Sequence, residues 1–471
     1  RRRRVEPGGG SGLAEDPVQV GAADGAGGLG LAELALPYLN TISGKQLYVP
    51  YENTMAWVAA IAITLFTGVV AGSYPALFLS SFRPVKVLKG IIKTGSMSLR
   101  PRQILVVLQF SFAITLIIGT ILIYKQIGYI KSKPVGYDRD GLVEMELEGK
   151  MYEHFERFRT AGIDAGAIAD GVTTSGGITS SGASSWGVEW PSQKPGEDKI
   201  PIDMIATNYH FISTFGVKLS EGRDFSPAHP SDSLSVIVNE SAVKLMRLQN
   251  PVGQKIRWQG QQRTIVGVVK DFVWGSPYEP TKPMIIGFWP EWAGSVSLRL
   301  NPTQSVSQSL AKLEKIYKSH NPGFPFEYRF IDSKFAEKFK TETLLGTIGN
   351  WFSGLAIFVS CLGLFGLAAF AAEQRKKEIG IRKVLGASVS VLWFNLSSEF
   401  LKLVAISFII GSVAGWWLMS DWLSRYTYRT SIGFSVFART GLVAIIVTLA
   451  TISWQAIRAA LVNPANTLRS E

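Results

Sequence analysis

Few ionisable residues of this chain have a type and spacing suited to chemistry, and two of them lie at the edge of an apolar run. Glu399 and Lys402 are three residues apart, which places both side chains on one face of a helix. An ionisable pair inside a bilayer is costly, and such residues relay protons in pumps and transporters. The alternative, which we favour, is a helix that starts at the membrane surface and becomes apolar over residues 403–420.

The remaining motifs do not predict an enzyme. The sequence contains no Gly-x-x-x-x-Gly-Lys-Ser/Thr loop, so it is not expected to bind ATP by that route. Asp271 and Phe272 follow a predicted strand, and we interpret them as its end rather than as a catalytic edge. A zinc protease helix needs the spacing His-Glu-x-x-His, and the histidines here are scattered: His154, His210, His229 and His320. We therefore expect no catalytic residue, no cofactor and no metal site.

The composition indicates a membrane protein. Of the 471 residues, 46% are hydrophobic and 18% are charged, and the charges concentrate between apolar blocks. The net charge of +12 could suggest nucleic acid, but the densest basic clusters adjoin the apolar blocks, where orientation in a membrane explains them. We therefore expect a lipid bilayer and no nucleic acid as a partner. The single cysteine, Cys361, excludes an intrachain disulfide.

Five apolar runs are long enough to predict membrane-spanning helices, for which about 20 residues are needed. Basic residues dominate the connectors after the first and third runs, so the positive-inside rule assigns both connectors to the cytoplasm. The predicted domains are a disordered leader (1–35), the last span of a first membrane unit (36–90), a basic cytoplasmic connector (91–102), a transmembrane helix (103–125), an extracytoplasmic domain with stalk ends (126–342) and a membrane unit with three transmembrane helices (343–471).

The interval between the second and third spans has the pattern of a mixed α/β domain. Short β-branched runs bounded by Gly, Pro, Asn and Asp predict strands at 235–239 and 264–270. Amphipathic spacing predicts helices at 241–246 and 307–317. The fold class is therefore an α-helical polytopic membrane protein with five spans and one large extracytoplasmic α/β domain.

Three further features of this interval carry expectations. Residues 171–197, rich in Ser, Thr and Gly, are predicted to form a long exposed loop. Helical character at 126–133 and 333–343 predicts stalks that continue the second and third spans above the membrane. Tryptophans are numerous, and core packing explains most of them better than a site for an apolar substrate; they are Trp186, Trp190, Trp258, Trp274, Trp289 and Trp292.

The charged segment 373–386 follows the third span directly, and the sequence predicts a short amphipathic helix there. Its apolar residues, ringed by charges, suit docking into a groove of a soluble partner; they are Ile379, Ile381, Val384 and Leu385. The alternative is a lipid-facing basic loop, stabilised by about 1 kcal/mol per basic residue near an anionic leaflet. Composition and spacing alone leave the two interpretations equal.

An internal repeat changes the expected architecture. Residues 82–89, Phe-Arg-Pro-Val-Lys-Val-Leu-Lys, align with residues 462–469, Val-Asn-Pro-Ala-Asn-Thr-Leu-Arg, and each string follows a span. The polar-aromatic stretches before the two spans also correspond, so 36–89 is predicted to be a second copy of 422–469. Counterparts of the third and fourth spans are then expected upstream of residue 1.

The string Glu-Ile-Gly-Ile-Arg-Lys-Val-Leu-Gly-Ala-Ser at 378–388 resembles the cytoplasmic motif of FtsX-like permeases, the membrane subunits of MacB-type ABC transporters. Four ordered strings of the interval are similar to the periplasmic core domain of that family; they lie at 221–225, 238–242, 250–256 and 266–272. The tandem arrangement resembles permeases with two membrane units in one chain, of which this sequence would be an amino-terminally truncated fragment.

The resemblance implies a permease that transmits motion from a separate cytoplasmic ABC ATPase to its outer domain, driving export or extraction of a hydrophobic or peptide substrate. It favours docking as the role of the charged segment, with an ATPase-coupling helix of Arg375, Lys376, Lys377, Glu378, Ile379, Gly380, Ile381, Arg382, Lys383, Leu385 and Gly386. It implies a bacterial inner membrane location and a periplasmic adaptor or lipoprotein partner. The alternative function is an ATP-driven scaffold or sensor that regulates an external partner such as a cell-wall hydrolase.

Overall fold

Uncharged runs form long helices in this chain because backbone groups inside a bilayer must bond to one another. The structure, a computed structural model, describes residues 17–44, 46–80, 99–180 and 182–461. Within those residues four helices are long and apolar enough to cross a membrane, namely Pro101–Lys131, Lys340–Gln374, Val389–Ser424 and Phe434–Trp454. The chain divides into two units, Arg1–Leu105 and Val106–Glu471.

The elements are numbered in chain order. The helices are α1 (Pro17–Ser43), α2 (Thr54–Ser80), α3 (Leu99–Lys131), α4 (Met151–Asp164), α5 (Phe211–Phe215), α6 (Glu240–Met246), α7 (Val306–His320), α8 (Ile331–Glu337), α9 (Lys340–Gln374), α10 (Lys376–Val384), α11 (Val389–Ser424) and α12 (Phe434–Leu461). The strands are β1 (Leu142–Glu146), β2 (Ile168–Thr174), β3 (Ala183–Ser185), β4 (Ile202–Thr207), β5 (Leu219–Gly222), β6 (Ser235–Asn239), β7 (Lys255–Trp258), β8 (Gln261–Val269), β9 (Met284–Phe288), β10 (Ser295–Leu300) and β11 (Arg329–Phe330).

The first unit contains α1 and α2. Residues 17–35 lie in α1, where the sequence predicts a disordered leader; the Ala and Leu residues of 31–36 are strong helix formers. The apolar part of α2, Thr54–Val69, is shorter than the about 20 residues that a membrane-spanning helix needs. The first of the five predicted spans therefore stays a prediction. Residues 91–98 of the predicted basic connector and the two repeat strings at 82–89 and 462–469 lie outside the described residues, whereas 99–102 belong to α3.

In the second unit, α3 packs against α9 and α11 through small residues, as is common where helices meet in lipid. The Thr115 hydroxyl donates to the Gly411 carbonyl oxygen of α11 at 3.1 Å, and the Thr120 and Ser353 hydroxyls lie 3.3 Å apart between α3 and α9. Helix α12 packs against both α9 and α11. The result is a four-helix membrane bundle.

Replacing Gly411 with Ala is expected to lower the melting temperature of the protein in detergent micelles. A methyl group there would lie 2.6 Å from the Ser111 carbonyl oxygen and 2.9 Å from the Ile114 Cβ. Overpacking of this kind costs about 1–3 kcal/mol. Gly366→Ala in α9 is the matched control because a Cβ at Gly366 meets nothing within 4 Å. Equal melting temperatures for the two variants would show that α3 and α11 are not packed this closely.

Between α3 and α9 the chain forms the outer domain, which is built on one mixed sheet. The strand order is β11-β1-β10-β2-β4-β9-β6-β8-β5, with β3 added to β4 and β7 added to β8. The pairs β4–β9 and β6–β8 are parallel, and the other described pairs are antiparallel. Helices α4 and α7 pack against each other, and α4 also contacts β2. The predicted mixed α/β domain is confirmed.

Three hydrophobic clusters hold the outer domain together. One joins α4 and α7 to β1 and β10 and includes Phe158 and Leu313. A second, on β4, β6, β7, β8 and β9, includes Trp258 and Trp289. The third and central cluster joins residues of the sheet to residues of α3 and α8 and to Phe339, which directly precedes α9. That central cluster therefore belongs to the outer domain and to its stalks at once.

The predicted secondary structure of the outer domain is largely confirmed, with one correction. Strands 235–239 and 264–270 are β6 and β8, and helices 241–246 and 307–317 are α6 and α7. The prediction of an exposed loop over 171–197 is only partly correct: most of the described residues of 182–197 are exposed, but the range is not a single loop. Its start belongs to β2, its middle forms β3, and Val188 and Trp190 are buried. Ser and Thr side chains tolerate a pleated strand, so their abundance there did not indicate a loop.

Most of the tryptophans considered in the sequence do pack into the core. Trp190, Trp258 and Trp289 are buried, and Trp274 is partly buried against the central cluster. Trp186 and Trp292 are exposed. Core packing is therefore confirmed as the role of four of the six.

Candidate coupling site

The charged segment forms helix α10, whose ends are fixed by backbone geometry. Arg375 alone separates α9 from α10, with φ −100° and ψ 12°. After α10, Gly386 has φ +93°, a left-handed conformation that favours glycine. The Gly386 N–H donates to the Lys383 carbonyl at 3.1 Å and the Ala387 N–H to the Arg382 carbonyl at 2.9 Å. These two hydrogen bonds together form a Schellman motif, which ends the helix sharply.

The next helix begins immediately after this turn. The Ser388 hydroxyl accepts a hydrogen bond from the Val391 N–H at 3.4 Å and caps the start of α11. Helix α10 also lies against α9 and α12. The segment is therefore held between two membrane helices by short connections, at the end of α9 that is opposite the outer domain.

Two ion pairs organise the charges of the segment. The Arg375 guanidinium lies 2.7 Å from the Glu399 carboxylate of α11, and Arg382 lies 2.6 Å from Glu378 one turn away. The hydrogen bond to Glu399 raises the pKa of Arg375 above its ordinary value, so Arg375 stays charged. The sequence predicts Lys402 as the partner of Glu399, and the structure shows Arg375 in that role. The pairing ties the connector to α11 and provides no proton relay within the apolar part of that helix.

An exposed apolar face lies on α10 and the turn after it. Ile381, Val384 and Leu385, at positions i, i+3 and i+4, lie on one face of the helix and are all exposed, whereas Gly380 is buried. The side chains of Lys376, Lys377 and Ile379 lie outside the described residues. Exposed apolar residues rimmed by charges are typical of a surface that binds another protein.

At the outer end of the bundle, Gln126 joins α3 to the loop between α11 and α12. Its amide nitrogen donates to the Tyr428 carbonyl oxygen at 2.7 Å, and its amide oxygen accepts from the Thr430 N–H at 2.8 Å. Lys125 adds a hydrogen bond of 2.8 Å to the Ser431 carbonyl oxygen. This contact could not be predicted from the sequence, because a glutamine after an apolar run gives no indication of its distant partner.

The stalks above the membrane share a core with the outer domain. Ile127 and Ile130 of α3 and Phe335 and Phe339 beside α9 belong to the central cluster of the outer domain. Phe339 also contacts Tyr278, with ring centroids 5.5 Å apart. Protein cores are close-packed and transmit displacement. The outer domain is therefore attached to both stalks by packed side chains as well as by the chain itself.

Asp271 and Phe272, just after the end of β8, have a structural role. The Asp271 carboxylate accepts hydrogen bonds from the Ser241 N–H at 2.9 Å and from the Ser241 hydroxyl at 2.7 Å. These bonds fix the start of α6 against the end of β8. Phe272 is buried in the central cluster.

Comparison with known proteins decides the family. Residues 110–316 match the MacB-like periplasmic core domain, and residues 350–464 match the FtsX-like permease C-terminal domain. The chain is an ABC transporter permease of the FtsX and MacB type. The predicted fold class is confirmed as a polytopic membrane protein with a large periplasmic domain of the MacB core type. For this permease, the described residues include four helices suited to crossing the membrane.

The relatives that this permease resembles are distant in sequence. It is 21% identical to the ABC transporter permease YknZ of Bacillus subtilis over 247 residues, which is 48% of this chain and 62% of YknZ. It is 26% identical to the macrolide export ATP-binding/permease protein MacB of Aggregatibacter actinomycetemcomitans over 220 residues, or 44% of this chain and 33% of MacB. The crystal structure of the periplasmic region of MacB from Actinobacillus actinomycetemcomitans is similar with a TM-score of 0.30 and 14% identity, covering 43% of this chain and 94% of that one. The permease spans less than two thirds of these curated relatives.

Proposed function

We propose that this permease couples ATP hydrolysis by a separate cytoplasmic ABC ATPase to movement of its periplasmic domain. The ATPase docks on α10 through the exposed apolar face of Ile381, Val384 and Leu385, and the surrounding charges orient the contact. The observation that carries the proposal is mechanical continuity. The helix that ends at the exposed connector is the same helix that begins in the core of the outer domain.

The first route for this movement is α9. It has 35 residues, which at 1.5 Å per residue gives a rod of about 50 Å, enough to cross the membrane and extend beyond it. Phe339, directly before it, is packed in the central cluster, and Arg375, directly after it, begins the connector. A shift of α10 therefore moves one end of a continuous helix whose other end is anchored in the outer domain.

A second route runs through α11. At the connector, Arg375 binds Glu399 at 2.7 Å. At the outer end, the Tyr426 ring lies 5.7 Å from the Tyr278 ring of the outer domain. The Gln126 contact then joins the following loop to α3. Two helices thus carry the same displacement, and the loop contacts keep their outer ends together.

The work done by this movement is proposed to be export or extraction of a hydrophobic or peptide substrate across the bacterial inner membrane, with a periplasmic adaptor or lipoprotein as a partner. Macrolide export is stated in the name of the MacB relatives and is their property. For this permease the proposal stays at the broader substrate class. It is supported by a periplasmic domain attached to two membrane stalks.

The experiment that tests docking is co-purification of the permease with the ATPase encoded beside it, using the double variant Glu378→Lys/Arg382→Glu. This double substitution keeps an ion pair at positions i and i+4, as in the native 2.6 Å contact. It inverts the order of the positive and negative charges that α10 presents to a partner. We expect recovery of the ATPase to fall at least about tenfold, because like charges then face each other across the interface.

The matched control exchanges another exposed i, i+4 pair, at the outer end of α11. Asp421→Arg/Arg425→Asp inverts a contact of 3.0 Å and is expected to leave ATPase recovery unchanged. Both variants must insert into the membrane as the wild type does. Full retention of the ATPase by the α10 variant would mean that the connector faces lipid, and the coupling proposal would be wrong.

A further inference from the structure

A small cavity lies where three separate parts of the chain meet, at the outer end of α3. Its volume is about 170 Å³. One wall comes from the end of α3 and the residues after it, a second from the outer-domain segment 273–281, and a third from Tyr428 in the loop between α11 and α12. The Val273 N–H donates to the Val135 carbonyl oxygen at 2.8 Å and joins the first two walls. The cavity therefore lies at the junction of a membrane helix, the outer domain and the loop.

Most of the lining of this cavity is apolar. Five of its eight lining residues have no polar side-chain atom: Ile130, Pro134, Val135, Val273 and Pro277. Ile130 and Val135 also belong to the central cluster, which holds them in place. Pockets that enclose a drug-sized molecule measure about 300–1,000 Å³, so this smaller cavity has room for a single ring or a short chain.

Lys133 supplies the positive charge of the lining. Its ammonium lies 3.2 Å from the centre of the Tyr428 ring and 5.4 Å from the centre of the Tyr129 ring. Because Tyr428 lines the same cavity, the first contact places the ammonium at the cavity wall. Lys133 is half-buried, and its nitrogen is not among the polar atoms that the fold seals from solvent. The ammonium is therefore accessible at the wall.

No carboxylate of the described residues forms an ion pair with Lys133. The acidic residue of the neighbouring outer-domain segment, Glu279, binds Lys282 at 2.6 Å instead. Ring faces attract an ammonium group but carry no net charge. An ammonium group has three N–H donors, so Lys133 can keep its contacts with the rings and bind an anion on another side. The electrostatics of the cavity therefore favour an anionic ligand.

The other lysines near the end of α3 are placed differently. Lys131 lies over the Phe339 ring, 5.2 Å from its centre, and Lys125 donates to the Ser431 carbonyl oxygen at 2.8 Å. Neither of the two lines the cavity. They contribute to the positive potential around the stalk, but the direct contact with a ligand in the cavity falls to Lys133.

We propose that this cavity binds a small organic carboxylate, with its carboxylate group on the Lys133 ammonium and its apolar body against Val135 and Val273. The ammonium donates a charge-assisted hydrogen bond, and the apolar body leaves water. Such a ligand contacts the stalk, the outer domain and the loop after α11 at once, so it holds the three together. Binding needs neither ATP nor an ATPase. Its failure in a binding assay would therefore leave the coupling proposal untouched.

The test compares three compounds with the same ring and chain but different charge: anionic cinnamate, neutral cinnamyl alcohol and cationic cinnamylamine. Each is mixed with the full chain in nanodiscs of zwitterionic lipid, and binding is measured by ligand-observed saturation-transfer NMR, with empty nanodiscs as the blank. We expect cinnamate to bind at least about tenfold more tightly than either analogue, because only cinnamate forms the charge-assisted hydrogen bond. Equal binding of the three, or no binding of cinnamate, would overturn the proposal.

Variants of two lysines separate the cavity from the general charge of the stalk. Lys133→Gln is expected to weaken cinnamate at least about tenfold and to remove its advantage over the alcohol, whereas Lys133→Arg keeps the charge and should retain that advantage. Lys131→Gln removes a cation of the same stalk outside the cavity and should match the wild type. A folding defect would weaken both compounds together, so the ratio of their affinities is the decisive quantity. An advantage that survives Lys133→Gln, or that is lost equally in Lys131→Gln, would overturn the assignment.

Discussion

Replacing Leu385 with Ser is expected to reduce recovery of the ATPase with the permease at least about tenfold, without changing the stability of the permease. The Leu385 side chain is 81% exposed, and surface substitutions of this kind usually change stability by no more than about 0.5 kcal/mol. In the proposed complex the same side chain is buried by the ATPase. Losing a buried leucine costs about 1.5–3 kcal/mol, which weakens binding by roughly ten- to more than a hundredfold.

The measurement pairs co-purification of the ATPase with a melting curve of the permease alone. Leu234→Ser is the matched control, since Leu234 is 52% exposed but lies in the outer domain. It should change neither quantity. If Leu385→Ser retained the ATPase at the wild-type level, the apolar face of α10 would not be the contact surface, whatever the charge variants show.

Replacing Gln126 with Leu is expected to release the loop after α11 from α3 and so to weaken the second route of movement to the outer domain. Gln126 is 1% exposed, and its two hydrogen bonds join α3 to the loop after α11. The variant leaves the Tyr428 carbonyl and the Thr430 N–H unpaired, at a cost of about 1–3 kcal/mol for each group. We expect faster amide hydrogen exchange in the loop at residues 425–433 and reduced ATP-driven activity.

Gln109→Leu offers the same substitution in the same helix with the opposite expectation. The Gln109 amide oxygen is buried without a hydrogen-bond partner in the part of the chain that the structure describes. Replacing Gln109 removes an unsatisfied polar atom and should not affect amide hydrogen exchange in the loop at residues 425–433. If Gln126→Leu left exchange in the loop as slow as Gln109→Leu does, the loop would be held by contacts other than Gln126.

The sequence predicted the parts of this permease that depend on local patterns. Uncharged runs predicted α3, α9, α11 and α12, and the dense charge of 373–386 predicted a connector that does contain a helix, α10. Periodicity also predicted β6 and β8 because their side chains alternate or run apolar over few residues. In each case the pattern of apolar or charged residues lies within one segment, and that segment has a single environment along its length, such as lipid, water or the protein core.

Contacts between distant segments could not be predicted in this way. Gln126 and Tyr428 are separated by 302 positions, and no spacing rule connects them. Glu399 was assigned a neighbour on its own helix because the i, i+3 rule applies there, yet Arg375 reaches it from the preceding connector. The burial of Glu144 on β1, where it is only 6% exposed and paired with Lys334, carried no signal at all, since a glutamate within a strand gives no sign in the sequence that it is buried.

The core shared by the stalks and the outer domain also sets the order of biogenesis. Ile127 precedes the domain, and Phe335 and Phe339 follow it, yet all three belong to one cluster. At synthesis rates of about 5–20 residues per second, about 10–40 s separate the synthesis of Ile127 from that of Phe335. We therefore expect the central cluster to close only after the residues just before α9 have been made, so that the earlier part of the domain meets periplasmic proteases and chaperones with an incomplete core.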